Sequence, residues 1–263
     1  MDIAKRAIEV MRNEGIVVFT KKGINYIKNK LKFLVLPYAL LKIKMLNTKD
    51  CNLDILLNFS FNGIAGFIKP SQICDEILGL LRILDSVKPK VMLEIGTANG
   101  GTLFLFPHIA SMDATIISVD LPAGTFGGGY PTLKIPLYKS FALSHQKIHL
   151  IRADSHSQST LERVQSILNG KEIDFLFIDG DHTYEGVKKD FQMCSPLVKN
   201  GGIIAFHDIV PGLKENVGGV PKFWQEIKSE CKYLEIVKDW NQGGYGIGVI
   251  YKNTIGYKAK AKV

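Results

Sequence analysis

Cysteines are few and scattered in this sequence, and long hydrophobic runs are missing. No Cys-x-x-Cys pair or metal-ligand spacing occurs among Cys51, Cys74, Cys194 and Cys231. This excludes a disulfide framework and favours reduced thiols in a cytoplasmic protein. The N-terminus lacks the apolar run of a signal peptide. The longest apolar stretch, residues 33–41, contains Pro37 and is too short to span a bilayer.

The middle of the chain is not basic, although the formal net charge is +8. Residues 1–50 contain eleven Lys or Arg against four Asp or Glu, and the tail from Lys252 contains four Lys and no acid. Residues 51–251 therefore sum to −3. A mildly acidic central region argues against a nucleic-acid partner, whereas the two basic ends suit a membrane surface or another polyanion.

Residues 1–48 are predicted to form a basic and apolar N-terminal helical extension. Its apolar residues from Ile24 to Leu41 are flanked by lysines. This pattern suits peripheral contact with a membrane, and it equally suits packing on the protein's own core or on a second copy in a homo-oligomer. Residues 49–88 are predicted as a linker over 50–70 and a leading helix from Ile73 to Leu84. Residues 253–263 are expected to be a basic tail, whose biased part, Lys258–Lys262, is expected to be disordered.

Between residues 89 and 252, short apolar runs alternate with amphipathic segments. The apolar runs predict strands at 91–95, Thr115–Asp120, Lys147–Ile151, Phe175–Ile178, Ile203–Phe206, Leu234–Val237 and Ile247–Tyr251. The amphipathic segments predict helices at Leu103–Ala110, Ser159–Leu168, Tyr184–Cys194 and Phe223–Ser229. This alternation is typical of an α/β protein with a Rossmann-like, doubly wound, seven-stranded and mostly parallel sheet. Gly243-Gly244 predicts a hairpin that makes the last strand antiparallel.

The fourth predicted strand ends in a group of polar residues. Asp179, Asp181 and His182 follow it directly, and a helical pattern begins at Tyr184. Ligands bind at the carboxyl edge of open α/β sheets, and acids grouped with an imidazole are costly to desolvate unless they have a partner. We interpret these three residues as functional; helix capping or simple solvation is the alternative. Thr183 is expected to cap the helix.

A glycine-rich turn follows the first predicted strand. Its glycines, Gly96, Gly100 and Gly101, let the backbone approach a ligand closely and direct amide N–H groups towards it. Their spacing differs from the G-x-G-x-x-G fingerprint, which disfavours an NAD enzyme. The second strand ends in Asp120, and an acid at this place commonly binds ribose hydroxyls.

These motifs resemble the class I S-adenosylmethionine-dependent methyltransferases. Residues 94–100 (EIGTANG) are similar to the first motif of that family, and residues 117–120 (ISVD) are similar to the second. Residues 177–191 (FIDGDHTYEGVKKDF) and 201–209 (GGIIAFHDI) resemble the branch that contains sugar and small-molecule O-methyltransferases and cephalosporin-hydroxylase-like proteins. The resemblance implies binding of S-adenosylmethionine by Glu94, Gly96, Thr97, Ala98, Asn99, Gly100, Asp120, Leu121, Asp154, Ser155 and Asp179.

The same resemblance implies a divalent cation at the ends of the fourth and fifth strands. The matching positions are Asp179, His207 and Asp208, where His207 departs from the acid or amide of the family. Carboxylates favour Mg²⁺, and an imidazole shifts the preference towards Mn²⁺, Fe²⁺ or Zn²⁺. The alternative is that His207 and Asp208 bind only loop backbone. In the implied reaction, methyl transfer to a hydroxyl, His182 is the expected base and Asp181 is the other candidate.

A long glycine-rich loop, residues 121–132, separates the second and third strands. Loops of this length are commonly functional lids or disordered segments. Phe126, Tyr130 and Tyr138 are expected to close over the cofactor or the acceptor, and a flexible excursion is the alternative.

Rival functions follow from the same residues. One is a catalytically silent cofactor-binding module, or an interaction module associated with glycan assembly, which the grouping of Asp179, Asp181 and His182 disfavours. A nucleic-acid methyltransferase is disfavoured because the fourth strand ends in Asp-Gly-Asp-His instead of a Pro-Pro-aromatic turn. The acceptor itself is not identified by the sequence.

Overall fold

The computed structural model describes residues 35–47, 51–122 and 129–252. The chain divides into two compact units, residues 1–46 and 47–263. Residues 35–47 form helix α1. Most of the predicted N-terminal extension, Phe126 of the glycine-rich loop and the predicted tail at 253–263 lie outside the described residues. None of the helices that the structure describes is long and apolar enough to cross a membrane.

The second unit contains one sheet with helices on both faces. Its strands are β1 (Val91–Ile95), β2 (Thr115–Asp120), β3 (Lys147–Arg152), β4 (Ile173–Ile178), β5 (Val198–His207), β6 (Lys232–Ile236) and β7 (Ile247–Tyr251). Its helices are α2 (Leu53–Asn62), α3 (Cys74–Val87), α4 (Gly101–Ile109), α5 (Ile135–Lys139), α6 (Gln158–Leu168), α7 (Tyr184–Cys194), α8 (Lys214–Val217) and α9 (Val220–Lys228).

The predicted fold class is confirmed by the order and direction of the strands. The sheet has seven strands in the order β3-β2-β1-β4-β5-β7-β6. Strands β1 to β5 are parallel, and β7 runs antiparallel to β5 and β6. Strands β2 and β3 lie on one side of β1, whereas β4 and β5 lie on its other side. The direction in which successive strands are added therefore reverses at β1. Ligands bind at this switch point in open α/β sheets.

Both faces of the central strands are buried because helices cover them, which explains their near-continuous apolar sequences. One face packs against α7 through Val187 and Phe191. On the other face, Phe106 of α4 contacts the rings of Phe175 and Phe177 at centroid distances of 5.4 and 5.8 Å. The core therefore fixes the ends of β1 and β4 relative to α4 and α7.

The cap predicted for α7 is confirmed. The Thr183 hydroxyl accepts a hydrogen bond from the Gly186 N–H at 3.0 Å. This bond satisfies one of the amide groups that the first turn of a helix leaves without an intrahelical partner. The helix consequently begins directly after the acids that end β4.

The segment expected to be a linker contains a helix and a 3₁₀ turn. In α2, Leu56 and Leu57 are buried, and the Asn52 side chain caps the first turn by accepting from the Ile55 N–H at 2.9 Å. Burial of this apolar face outweighs the turn signal of Asn62-Gly63, which marks where α2 ends. Residues 53–66 are thus part of the packed fold rather than a linker.

Candidate functional site

A cavity of about 1110 Å³ opens at the carboxyl edge of the sheet. Loops that follow β1, β2, β3, β4 and β5 form its floor, and three further segments form its walls: residues 66–74, 215–217 and 243–245. Typical single-ligand pockets measure roughly 300–1,000 Å³. The cleft therefore has space for more than one small molecule.

The glycine-rich turn is shaped by close backbone contacts. Gly96 has φ of 90°, and a Cβ placed there would lie 1.9 Å from the Asp179 carbonyl oxygen. Gly100 has φ of 85°, and its Cβ would lie 2.5 Å from the Tyr138 ring. Only glycine combines this left-handed conformation with so little space. The turn leads directly into the N-terminus of α4, which favours negatively charged ligand groups.

Asp120 holds the loops around the turn together. One carboxylate oxygen accepts from the N–H groups of Thr97 and Ala98 at 3.0 and 2.7 Å. The other accepts from the N–H groups of Leu121 and Gly129 at 2.7 and 2.9 Å. Asp120 lines the cleft, and four backbone donors already contact its oxygens. Its predicted contact with ribose stays a prediction.

The residues predicted to bind the cofactor divide into two groups. Those on the cleft surface are Gly96, Ala98, Asn99, Asp120, Leu121, Asp154, Ser155 and Asp179. Those behind the turn are Glu94, Thr97 and Gly100, which the cleft lining does not include. The predicted catalytic residues, Asp181 and His182, and the predicted metal ligands, Asp179, His207 and Asp208, all line the cleft. The structure thus brings most of the predicted residues to one cavity.

Glu94 is buried beneath the turn. It is 1% exposed, its Oε1 accepts from the Thr102 hydroxyl, and its Oε2 has no hydrogen-bond partner among the described residues. Burial raises the pKa of Glu94 to about 8, against its hydrogen bonds with Thr102 and Thr97, which lower it. The side chain is therefore protonated at neutral pH and supports the turn from below.

Four side chains meet at the ends of β4 and β5, and we call them the acid–histidine cluster: Asp179, His182, His207 and Asp208. His207 Nδ1 lies 3.1 Å from Asp179 Oδ1 and 3.5 Å from Asp208 Oδ2. His182 Nε2 lies 3.4 Å from Asp179 Oδ1, and its Nδ1 lies 3.4 Å from Asp208 Oδ2. His182 Nδ1 also lies 2.6 Å from the Asn216 carbonyl oxygen, which requires a proton on Nδ1.

The charges of the cluster are coupled. Burial raises the pKa of Asp179, but His207 and His182 lower it more, so its pKa lies below the usual range. Burial lowers the pKa of His182, but Asp179 raises it more, to about 9. Burial likewise lowers the pKa of His207, and the charges of Asp179 and Asp208 outweigh this and raise it. Protonated imidazoles therefore compensate the carboxylates when no other cation is present.

The donor set of the cluster fits a divalent cation. One ligand atom from each of Asp179, His182 and Asp208 lies within 4.8 Å of the others. Two carboxylates with one imidazole suit Mn²⁺ or Mg²⁺ and also softer first-row ions. The family resemblance implied His207 in the third place. The geometry adds His182 to the two acids as a ligand candidate, while the buried His207 also lies near both, with its Nδ1 3.1 Å from Asp179 and 3.5 Å from Asp208.

Asp181 lies beside the first turn of α7. Its Oδ1 accepts from the Thr183 N–H at 2.8 Å, and a Cβ on Gly186 would lie 2.2 Å from its carboxyl carbon. The carboxylate thus packs on the first turn of α7 while still lining the cleft. Asp181 and His182 occupy different positions and are not interchangeable.

Two residues near the cluster were not predicted. Gln72 Nε2 donates to Asp179 Oδ2 at 2.7 Å, and the Tyr245 N–H donates to Asp208 Oδ1 at 2.9 Å. Asp208 and Tyr245 both have φ of 62°, a strained conformation that is common at functional sites. No sequence signal points to Gln72. Gly243-Gly244 signalled only a turn, although that turn forms a wall of the cleft.

The expectation that Tyr130 and Tyr138 form a lid is wrong. Both side chains are buried, their rings contact each other at 4.8 Å between centroids, and the Tyr138 hydroxyl donates to the Ala98 carbonyl at 2.7 Å. They pack under the glycine-rich turn because its glycines leave space for an aromatic ring. These aromatic residues therefore support the cleft from inside.

Comparison with known proteins agrees with this geometry. Residues 93–209 match a family described as a methyltransferase domain. Tapetum-specific methyltransferase 1 of Arabidopsis thaliana is 31% identical over 134 residues, which cover 50% of this chain and 52% of that protein. The chain spans about half, or less, of the length of the curated relatives that it matches.

Solved structures share the fold at low sequence identity. The O-methyltransferase TomG from Streptomyces achromogenes, which is involved in tomaymycin synthesis, aligns with a TM-score of 0.54 and 16% identity over 80% of this chain and 94% of that chain. CalS11, a TDP-rhamnose 3'-O-methyltransferase of calicheamicin biosynthesis, aligns with a TM-score of 0.50 and 14% identity over 82% and 93%. Residues 93–209 thus match a methyltransferase domain, and the chain shares its fold with these O-methyltransferases.

Proposed function

We propose that this protein transfers the methyl group of S-adenosylmethionine to a hydroxyl of a small molecule or a sugar, with a divalent cation at the acid–histidine cluster. One observation carries the proposal. A single cleft contains both the glycine-rich turn and the cluster, so a donor on the turn and an acceptor at the cluster would meet. Holding two reactants in line supplies much of the acceleration of such a transfer.

The donor end of the cleft suits a cationic nucleoside. The turn and the N-terminus of α4 offer amide N–H groups to a carboxylate, and Asp120, Asp154 and Ser155 lie where the nucleoside part would extend. Carboxylates such as Asp120 and Asp154 also favour a positively charged sulfonium in the cleft. The residues behind the turn, Glu94, Thr97 and Gly100, would act by holding its shape.

The acceptor end is defined by Asp179, His182 and Asp208, which would hold the cation. Such an ion lowers the pKa of a bound hydroxyl and orients it. Asn216 holds the His182 ring by its Nδ1, so that Nε2 points to Asp179. If His182 is a ligand, the proton of the acceptor passes to Asp181 or to water. If His207 is the ligand, His182 remains the base.

The acceptor class rests on the relatives. TomG is involved in tomaymycin synthesis and CalS11 acts on TDP-rhamnose, which supports a small-molecule or sugar hydroxyl here. The cleft has space for both substrates. Peripheral membrane contact through residues 1–48, a homo-oligomer and a cytoplasmic location remain proposals from the composition of the chain.

The test measures binding first and turnover second. Calorimetry should show binding of S-adenosylhomocysteine and no binding of NAD. Release of S-adenosylhomocysteine is then followed with panels of sugar nucleotides and phenols, in Mg²⁺, in Mn²⁺ and in chelator. Methyl transfer to amines alone, or full turnover in chelator, would contradict hydroxyl transfer or the cation. Asp181→Asn and His182→Ala identify the base, whose loss costs roughly 10²–10⁴-fold in turnover.

A further inference from the structure

Gln72 reaches the acid–histidine cluster from a distant part of the chain. It precedes α3, lies outside the matched residues 93–209, and is separated from Asp179 by 107 positions. Its side chain is 6% exposed on the wall of the cleft. The amide Nε2 donates to Asp179 Oδ2 at 2.7 Å, while His207 Nδ1 lies 3.1 Å from Asp179 Oδ1. Asp179 is thus held from two sides.

The orientation of the Gln72 amide follows from the charge of its partner. A carboxylate only accepts hydrogen bonds, so the NH₂ group must face Asp179 and the carbonyl oxygen must point elsewhere. That oxygen, Oε1, is buried and has no hydrogen-bond partner among the described residues. Buried polar atoms normally have a partner. Oε1 is therefore an acceptor beside Asp179 that is still open to a hydrogen-bond donor.

We propose that Gln72 is a positioning residue: its amide orients the Asp179 carboxylate for a divalent cation at the acid–histidine cluster. The inference rests on the proposed cation at the cluster, and it assigns a part of the site to the chain outside the matched methyltransferase domain. Partners that orient metal ligands in this way typically change metal affinity by 10–100-fold when they are removed.

The experiment measures Mn²⁺ binding to the full chain by calorimetry and by the loss of the free-ion paramagnetic resonance signal. Gln72→Met keeps the length and packing of the side chain but removes both hydrogen-bonding atoms. Gln146→Met is the matched control. Gln146 is also 6% exposed, and its Nε2 donates to the carbonyl oxygens of Pro107 and Ser111 at 2.8 and 3.0 Å, away from the cleft.

We expect Gln72→Met to weaken Mn²⁺ binding by 10–100-fold, and Gln146→Met to change it less than twofold. Gln72→Asn is the second variant, because its shorter side chain withdraws the amide from Asp179 with little change in polarity. It should weaken binding similarly even if Gln72→Met does not fold. S-adenosylhomocysteine affinity within threefold of wild type shows that the cleft is intact.

The outcomes separate this inference from the proposed function. Mn²⁺ affinity within twofold of wild type in Gln72→Met and Gln72→Asn, or an equal loss in Gln146→Met, would overturn the inference. A wild-type chain that binds S-adenosylhomocysteine but no Mn²⁺ would also overturn it and leave the methyl-donor site standing. A chain that binds Mn²⁺ in a Gln72-dependent way but no S-adenosylhomocysteine would overturn the proposed function alone.

Discussion

Gly96 shows how a single residue defines the cleft. Its amide donates to the Val119 carbonyl of β2 at 2.9 Å, and its Cα faces the Asp179 carbonyl at the end of β4. The ends of β1, β2 and β4 therefore meet at Gly96, which has no side chain. Any larger residue must push β4, and with it Asp179, away from β1.

Gly96→Ala should destabilise the protein and abolish binding of S-adenosylhomocysteine. Gly170→Ala is the matched control, because Gly170 also has positive φ, of 79°, but nothing lies within 4 Å of its added Cβ. Gly170→Ala should lower the free energy of unfolding by about 1–2 kcal/mol, the cost of the left-handed conformation for a residue with a Cβ. Gly96→Ala adds a backbone clash of a further ~1–3 kcal/mol or more. Urea unfolding and calorimetry measure both; equal losses in the two variants would contradict a steric role.

Glu94→Gln should change how stability depends on pH. The pKa of Glu94 is about 8 in the folded chain, against 4.5 for the free group. Between these values the unfolded chain has lost the proton that the folded chain keeps, so this group lowers stability as pH rises. The contribution of Glu94 to the free energy of unfolding is fully present below about pH 4.5 and is lost as pH rises to about 8.

The measurement is the free energy of unfolding in urea from pH 5 to 8.5 for both proteins. The amide of the Glu94→Gln variant cannot titrate, so the stability of the wild type relative to this variant should decline steadily over the range. A difference that is constant with pH would show that Glu94 is ionised in the folded chain.

At the scale of elements, α7 couples the cluster to the core. Its N-terminus carries the Thr183 cap and lies next to Asp181 and His182, while Val187 and Phe191 pack into the core. The Gly219 N–H, just before α9, donates to the His182 carbonyl at 2.7 Å. The end of β4 is therefore fixed from both α7 and α9.

Thr183→Ala should lower the stability of the fold by about 1 kcal/mol, the usual cost of a lost N-cap. Thr183→Ser is the control because it keeps the hydroxyl that accepts from the Gly186 N–H. Urea unfolding of both variants checks this. Equal stability of the alanine and serine variants would mean that the cap contributes nothing at this helix.

At the scale of the whole molecule, the strands of the sheet and the described residues of the cleft lie within residues 47–263. The chain divides between Leu46 and Asn47, and the lining residues that the structure describes belong to the second unit. Residues 1–50 carry most of the net positive charge, and the described lining of the cleft begins at Phe61.

A fragment that begins at Cys51 should remain folded and bind S-adenosylhomocysteine with an affinity within threefold of the full chain. The reason is that α2, with its Asn52 cap, and the whole sheet are retained. Thermal melting and calorimetry test this, and flotation with anionic vesicles tests the proposed membrane contact. If the fragment is insoluble and the full chain does not bind vesicles, the first unit belongs to the core.

The strands and the polar residues at their ends could be predicted from the sequence because each depends on local patterns. Buried apolar runs predict Phe175–Ile178 and Ile203–Phe206; Asp179 follows the first directly, and Asp208 follows the second after His207. The fate of aromatic residues was not predictable in this way. The side chain of Tyr138 is apolar enough to form part of a lid or of the core. Only the space beside Gly100 places it in the core.

Local patterns were sufficient for the order of strands and helices, the class of fold and the set of polar residues at the carboxyl edge, because period and turn chemistry are properties of neighbouring residues. Packing in three dimensions set which of these residues touch. It placed His182, in addition to His207, beside both acids. It also directed backbone amides to Asp120 and brought Gln72 to Asp179 across 107 positions. Such contacts depend on how whole elements pack, and no local pattern encodes the distance between them.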